Sequence, residues 1–160
     1  MYLSQMQGML ISTNGLGQSY TGFAMVEADG AIPVGAPVIT DTGTTTGQLV
    51  VVGAAASRHR FRGVYTGRGG TGAAATVSGT SGYAAVDGDL IEIQWSGAVT
   101  ALVDGDSVDV VDGDPLEVGA GVFVKMVTAS AGVNEGYRIS VCALEGNTGT
   151  TAAKKVFIHV

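Results

Sequence analysis

Short runs of Val, Ile, Thr and aromatic residues recur from Phe23 onward, between Gly, Asp and Asn clusters, at intervals of roughly 8 to 15 residues. This spacing predicts an all-β sandwich or barrel with little helix, because no segment shows an apolar stripe of helical period. The nearest helical candidate, GAAASR at 53–58, is short. Strands are predicted near residues 23–27, 34–40, 48–52, 60–66, 89–95, 99–103, 107–111, 122–128, 137–144 and 155–160.

The strand DLIEIQW, residues 89–95, has the clearest alternation of apolar and polar positions. Ile91, Ile93 and Trp95 fall on one face, while Glu92 and Gln94 fall on the other. We therefore expect the first face to belong to the core.

Two segments lack this alternation. Residues 1–22 are polar and irregular, which predicts an extended N-terminal arm ahead of a β-barrel-like domain at 23–160, although a frayed terminus remains the alternative. The arm's apolar residues are Met6, Met9, Leu10 and Ile11. The stretch TGRGGTGAAATVSGTSG, residues 66–82, has small side chains through most of its length, so it can hardly pack and predicts a surface loop or a poorly ordered tip.

Composition narrows the class of protein. A length of 160 residues suits one domain, and 46% hydrophobic with 14% charged residues indicates a well-buried globular protein. A net charge of −6 argues against a nucleic-acid partner. We expect neither a membrane span nor a signal peptide, because the chain lacks a long apolar run and a basic N-terminal region. The single cysteine, Cys142, is expected to be a small buried apolar residue.

The tetrapeptide VDGD occurs three times, starting at Val86, Val103 and Val111. Asp-Gly is a strong turn signal, whereas a calcium site needs six to eight converging oxygens, roughly. The copies are also spaced unlike the nine-residue repeat of calcium-binding β-helices. The sequence therefore favours turns over a metal site.

The charges are distributed unevenly. Nine of the 14 acidic residues lie between Asp87 and Glu117, whereas RHRFR at 58–62 carries Arg58, Arg60 and Arg62 on one face if it is extended. We call these three residues the Arg ridge. It is either a solvated strand face or a contact with carboxylates of a neighbouring subunit or an underlying protein surface.

Catalytic signals are few. The two histidines are His59 and His159, and no Ser or Cys stands in a recognisable nucleophile motif. GRGGTG at 67–72 is similar to the phosphate-binding loop of trimeric dUTPases, but the other motifs of that family are missing. The sequence predicts no enzyme and no cofactor.

The runs AIPVGAPVITDTG, FRGVYTG, VDGDLIEIQWSGAVTALVDGDSVDV and DPLEVGAGVFVKM occur in this order. This order resembles that of capsid cement, or head decoration, proteins of tailed bacteriophages. The resemblance covers about residues 31–145 and depends on composition and short motifs.

The resemblance implies a β-barrel-like or β-tulip-like unit, commonly trimeric, on the outer surface of a virion capsid. Its partners would be the major capsid protein and two further copies of itself. The candidate contact residues are Met6, Met9, Leu10, Ile11, Arg58, Arg60 and Arg62. The alternative function is a receptor- or carbohydrate-binding β-module of a phage fibre or spike.

Overall fold

Nine β-strands and no α-helix make up the regular structure within the described residues of this computed structural model, which are 19–27, 30–41, 49–54, 60–126 and 140–159. The predicted all-β class is confirmed. The strands are β1 Tyr20–Val26, β2 Pro37–Thr40, β3 Leu49–Val52, β4 Phe61–Tyr65, β5 Leu90–Asp104, β6 Pro115–Val118, β7 Phe123–Lys125, β8 Ser140–Ala143 and β9 Thr151–His159.

Five strands close a β-barrel in the order β1, β3, β2, β4, β5 and back to β1. All neighbours are antiparallel except β1 and β3, which pair in parallel at Met25 with Leu49 and Val26 with Val50. Only the first half of β5 belongs to this barrel, because its partners in β1 and β4 end at Ser96.

The second half of β5 belongs to another closed circuit, in the order β5, β7, β6, β8, β9 and back to β5. Its longest pairing joins β5 to β9 from Gly97 with Ile158 to Asp104 with Thr151. It closes through one parallel pair, Val103 with Phe123. One long strand therefore serves two barrels.

Each circuit has its own apolar core, to which all five of its strands contribute. The first core contains Ala24, Val26, Ile32, Val34, Ala36, Val38, Val50, Tyr65, Ala85, Ile91, Ile93 and Leu102. The second contains Ile39, Phe61, Val64, Val99, Ala101, Val103, Val110, Leu116, Val118, Phe123, Val141, Ala143, Val156 and Ile158.

Strands β2 and β4 form the wall between the two cores. Val38 faces the first core and Ile39 the second, while Val64 faces the second and Tyr65 the first. Successive residues of a strand point to opposite faces, so a wall buried on both sides requires an unbroken apolar run. This explains why PVIT and VY show little polar alternation.

The sequence predicts two strands at 89–95 and 99–103, and this prediction is wrong: β5 runs unbroken through both. Gly97 has a φ of 90° and bends the strand without ending it. The side-chain amide of Gln94 donates to the carbonyls of Ser96 at 3.0 Å and Ala98 at 2.9 Å, on either side of the bend. Gln94, expected on the polar face, is therefore buried.

Trp95 is not the core residue that alternation predicts. Ile91 and Ile93 are buried as expected, but Trp95 stays 36% exposed. The pairing of β5 with β1 skips Trp95, which forms a bulge. Its ring lies 2.3 Å from where a Cβ on Gly22 would be, so any side chain at Gly22 would displace the indole.

Two more sequence expectations need correction. Residues 107–111 form no strand; Val110 makes an isolated bridge to Asn147, and Val108 is exposed. The sequence pattern did not predict strand β6, because this strand has only four residues and starts with Pro115, directly after a turn. The remaining predicted strands correspond to observed strands with shifted ends. The predicted ranges 48–52 and 137–144 begin, and 122–128 and 155–160 end, outside the described residues.

Residues 66–82 form a surface loop, as predicted, but this glycine-rich loop does pack. Ala75 and Val77 lie against the first core, and Ala74 bridges to Tyr83. The Tyr65 hydroxyl donates to the Tyr83 carbonyl at 2.6 Å and anchors the end of the loop. Burial raises the pKa of this phenol, which therefore stays protonated as a donor.

Candidate functional site

Three large apolar side chains are exposed together on the outer face of β1 and β5. Phe23 is 72% exposed, Met25 46% and Leu90 58%. Met25 is the cross-strand partner of Leu90, and Phe23 lies two residues before Met25 on the same face. We call these three residues the apolar patch. Exposed apolar clusters of this kind commonly mark interaction surfaces.

The apolar patch adjoins the predicted arm in the sequence. Met6, Met9, Leu10 and Ile11 lie outside the described residues. The described chain starts at Ser19, one residue before β1. The last three residues of the predicted arm, 20–22, belong to β1 and pair with β5.

Sequence reasoning missed the apolar patch although β1 carries a signal for it. In FAMV the smaller residues Ala24 and Val26 are buried, whereas the larger Phe23 and Met25 face outward. Placing the larger apolar residues outside is the reverse of what core packing alone favours. Such an inversion in a short strand is a signal for a contact surface.

The Arg ridge is described only in part. Arg58 lies outside the described residues; Arg60 immediately precedes β4 and is half-buried. Arg62 is exposed in β4, and its Nε donates to the Thr40 hydroxyl of β2. Arg60 and Arg62 flank the buried Phe61, and the pairing of β2 with β4 skips Arg62, whose side chain is exposed.

Two of the three VDGD copies form the same β-turn, Val86–Asp89 and Val111–Asp114. In each, the last Asp N–H donates to the Val carbonyl at 3.1 Å, and its carboxylate accepts from the Val N–H at 2.8 Å. The glycines have φ values of 82° and 85°, which favour glycine. The turn prediction is confirmed for these copies, which lead into β5 and β6.

The middle copy is built differently. Its Val103 and Asp104 are the last residues of β5, and the Asp104 carboxylate accepts from the Asp106 N–H at 2.9 Å. No group of three or more His, Cys, Asp or Glu that could hold a metal occurs in the described part of the chain. The carboxylates at 89 and 114 serve backbone hydrogen bonds instead.

These hydrogen bonds favour the ionised carboxylates. The N–H groups of Val86 and Thr71 hold the pKa of Asp89 below its ordinary value of 3.8. For Asp114 the largest cause of a lowered pKa is the hydrogen bond from Lys125, whose Nζ lies 2.8 Å away, followed by that from Val111 N–H.

We expect both turns to make stability depend on pH in acid. In the native state each carboxyl has a pKa below the value near 3.8 of the unfolded chain. Its contribution to stability is therefore complete above pH 3.8 and is lost as the pH falls through the native pKa. Replacing Asp89 and Asp114 by Asn should therefore flatten the loss of unfolding free energy between about pH 5 and pH 2, measured by urea denaturation. Asp112→Asn, at the exposed second position of one turn, is the matched control; equal flattening there would contradict this account.

Calcium should not be needed for folding, because the turn carboxylates are engaged by the backbone. The melting temperature with EDTA should match that with calcium to within about 2–4 °C, the shift that 1 kcal/mol causes in a protein this size. A fall of more than about 10 °C on chelation would contradict the turn interpretation.

The candidate chemical residues are dispersed. Cys142 is half-buried in β8, less buried than expected. His159 is the last residue of β9, and His59 lies outside the described residues. In GRGGTG, a Cβ on Gly69 would lie 2.1 Å from the Leu90 carbonyl oxygen, so packing against β5 requires this glycine.

Neither a scan against protein-family models nor a search of curated proteins found a match for this chain. Across the described ranges, no helix has the length and apolar character needed to cross a membrane. A functional proposal therefore depends on the surfaces described above and on the resemblance in the sequence.

Proposed function

We propose that the protein is a structural virion protein that binds the outer surface of a phage head as a homotrimer and stabilises the capsid lattice by bridging capsomers. The observation that carries the proposal is the apolar patch, which lies directly after the predicted arm. The small β-barrel fold and the resemblance to decoration proteins support it.

Attachment would combine the apolar patch with the arm. Burying a side chain such as Phe23 or Leu90 against the shell contributes about 1.5–3 kcal/mol relative to leaving it in water. Three copies of patch and arm would bind as one unit, because the second and third attachments take place at high effective concentration. Individually weak contacts then suffice for stable decoration.

Complementary charges, rather than the covering of free strand edges, favour association into a trimer. Each of the nine described strands pairs with at least two others, so covering an edge is no driving force. A cyclic trimer joins two different surfaces of each subunit. The outward Arg62 and the exposed acidic segment with Asp106, Asp109 and Asp112 offer opposite charges for such a contact.

The direct test uses the intact protein and phage heads that lack it. We expect sedimentation equilibrium to give the mass of three chains, and saturable binding to expanded heads at a fixed copy number per capsomer. A monomer that does not bind heads under any maturation state would overturn the proposal. The major capsid protein encoded in the same genome is the expected partner.

We expect the triple substitution of Arg58, Arg60 and Arg62 by Ser to weaken trimer assembly or head binding while leaving the fold intact. Opposed charges set orientation and register in an interface, so their loss should raise the dissociation constant and reduce its salt dependence. Arg68→Ser, outside the Arg ridge, is the matched control. Unchanged assembly together with unchanged head binding would show that the ridge is only a solvated strand face.

A receptor- or carbohydrate-binding β-module is the second candidate function. The observation that favours it is a polar cleft beside the glycine-rich loop, lined by hydroxyl and charged side chains. Binding to a glycan array without any binding to heads would favour this alternative over decoration.

A further inference from the structure

A polar cleft of about 540 Å³ lies where the two barrels meet. Its floor is β5, and Lys155 of β9 and the tip of the glycine-rich loop border it. Its volume is within the range of small-molecule sites, roughly 300–1,000 Å³, but such sites are mostly apolar and this one is not. The chemistry of the lining therefore indicates a polar ligand.

The glycine-rich loop reaches from the first barrel to the second and forms one side of the cleft. A Cβ on Gly79 would lie 3.3 Å from the Ala153 Cβ of β9, so the loop tip is in contact with the second barrel. At the base of the loop, Gly82 has a φ of 111° and a Cβ there would lie 2.3 Å from the Gly67 carbonyl oxygen. These close approaches fix the loop over β5.

The charged groups of the cleft are held in place by their neighbours. Glu92 accepts from the Thr66 hydroxyl at 2.9 Å and lies 3.7 Å from Arg68. Lys155 Nζ donates to the neutral hydroxyl of Thr100 at 2.8 Å. The lining thus contains two cations and one carboxylate, in a chain whose net charge is −6.

We propose that this cleft binds a saccharide that carries a carboxylate. Arg68 is paired with Glu92, whereas Lys155 Nζ is held by a neutral hydroxyl. The Glu145 carboxylate accepts from the Lys155 backbone N–H at 3.1 Å and not from Nζ, so the Nζ charge is left to attract an anion. Ser81 and Thr100 can donate to and accept from sugar hydroxyls. The cleft borders the apolar patch, since Glu92 of its lining is the cross-strand partner of Phe23, but saccharide binding does not require the proposed head binding.

The test titrates the full-length, isotope-labelled protein with a glucuronate-containing disaccharide and follows amide shifts by NMR. We expect saturable shifts at cleft residues such as Ser81 and Thr100. The neutral disaccharide of the same linkage should bind at least about tenfold more weakly, because a charged hydrogen bond is lost.

Two variants locate the site. Lys155→Gln should weaken binding of the acidic disaccharide about tenfold, whereas Lys154→Gln, the neighbouring residue on the other face of β9, should not. Absence of shifts in the cleft, equal binding of the neutral disaccharide, or equal losses in both variants would overturn the proposal. So would binding of a short acidic peptide alone, since the cleft would then be a protein contact.

Discussion

Deletion of residues 1–18 is expected to reduce binding to phage heads by about a hundredfold or more, because in the proposed trimer three arms would contribute to one attachment. Their apolar residues Met6, Met9, Leu10 and Ile11 can lie on the shell or add a strand to it. The truncation must end at residue 18, since β1 starts at Tyr20 and residues 20–22 pair with β5. Binding is measured by cosedimentation with expanded heads.

A full-length variant separates the chemistry of the arm from its length. Replacing the four apolar residues by Ser keeps the length and should weaken binding nearly as much as the deletion does. Both variants should keep the urea midpoint of the parent, because the two cores lie within the described barrels. If the truncated protein saturates heads as well as the full chain does, the arm has no role in attachment.

Phe123→Ala is expected to lower the free energy of unfolding by about 3–5 kcal/mol, a large share of the 5–15 kcal/mol typical of a domain. Phe123 is fully buried and packs edge-on against Phe61, with ring centroids 5.7 Å apart. It also forms, with Val103, the one pair that joins β5 to β7. The substitution therefore leaves a cavity where the second circuit closes.

The chain supplies a matched control for this change. Phe23→Ala removes the same side chain from a position that is 72% exposed, so the free energy of unfolding should change by less than about 0.5 kcal/mol. The two variants are compared by urea denaturation, with the same slope of unfolding free energy against urea concentration applied to both. A similar loss in both would mean that the second core does not depend on Phe123.

The Phe23 control also bears on the proposed function. Phe23 belongs to the apolar patch, so its replacement should weaken head binding even though it spares stability. Phe123→Ala should lower the free energy of unfolding but leave head binding unchanged, when binding is measured under conditions in which the variant is still folded. The two substitutions thus separate the effect of Phe23 on binding from the effect of Phe123 on stability.

Local signals in the sequence predicted much of the fold. Runs of β-branched residues predicted most of the strands, and Asp-Gly predicted two turns, because these features depend on residues close together in the chain. They could not predict that β5 is one strand. That depends on Gln94, whose amide bonds on both sides of Gly97 hold a bend that looks like an interruption in the sequence.

The all-β class, most strands, the turns at 86–89 and 111–114, and the uneven charge can all be read from residues near one another in the chain. Three features depend on long-range strand pairing: β5 is shared by two closed circuits, Trp95 lies at a bulge, and Phe23 and Leu90 are exposed together. The cleft also depends on tertiary structure, since Arg68 and Lys155 in its lining are far apart in the sequence. Alternation along the chain assigns a residue to one face of a strand, whereas long-range pairing determines whether that face meets the core or the solvent.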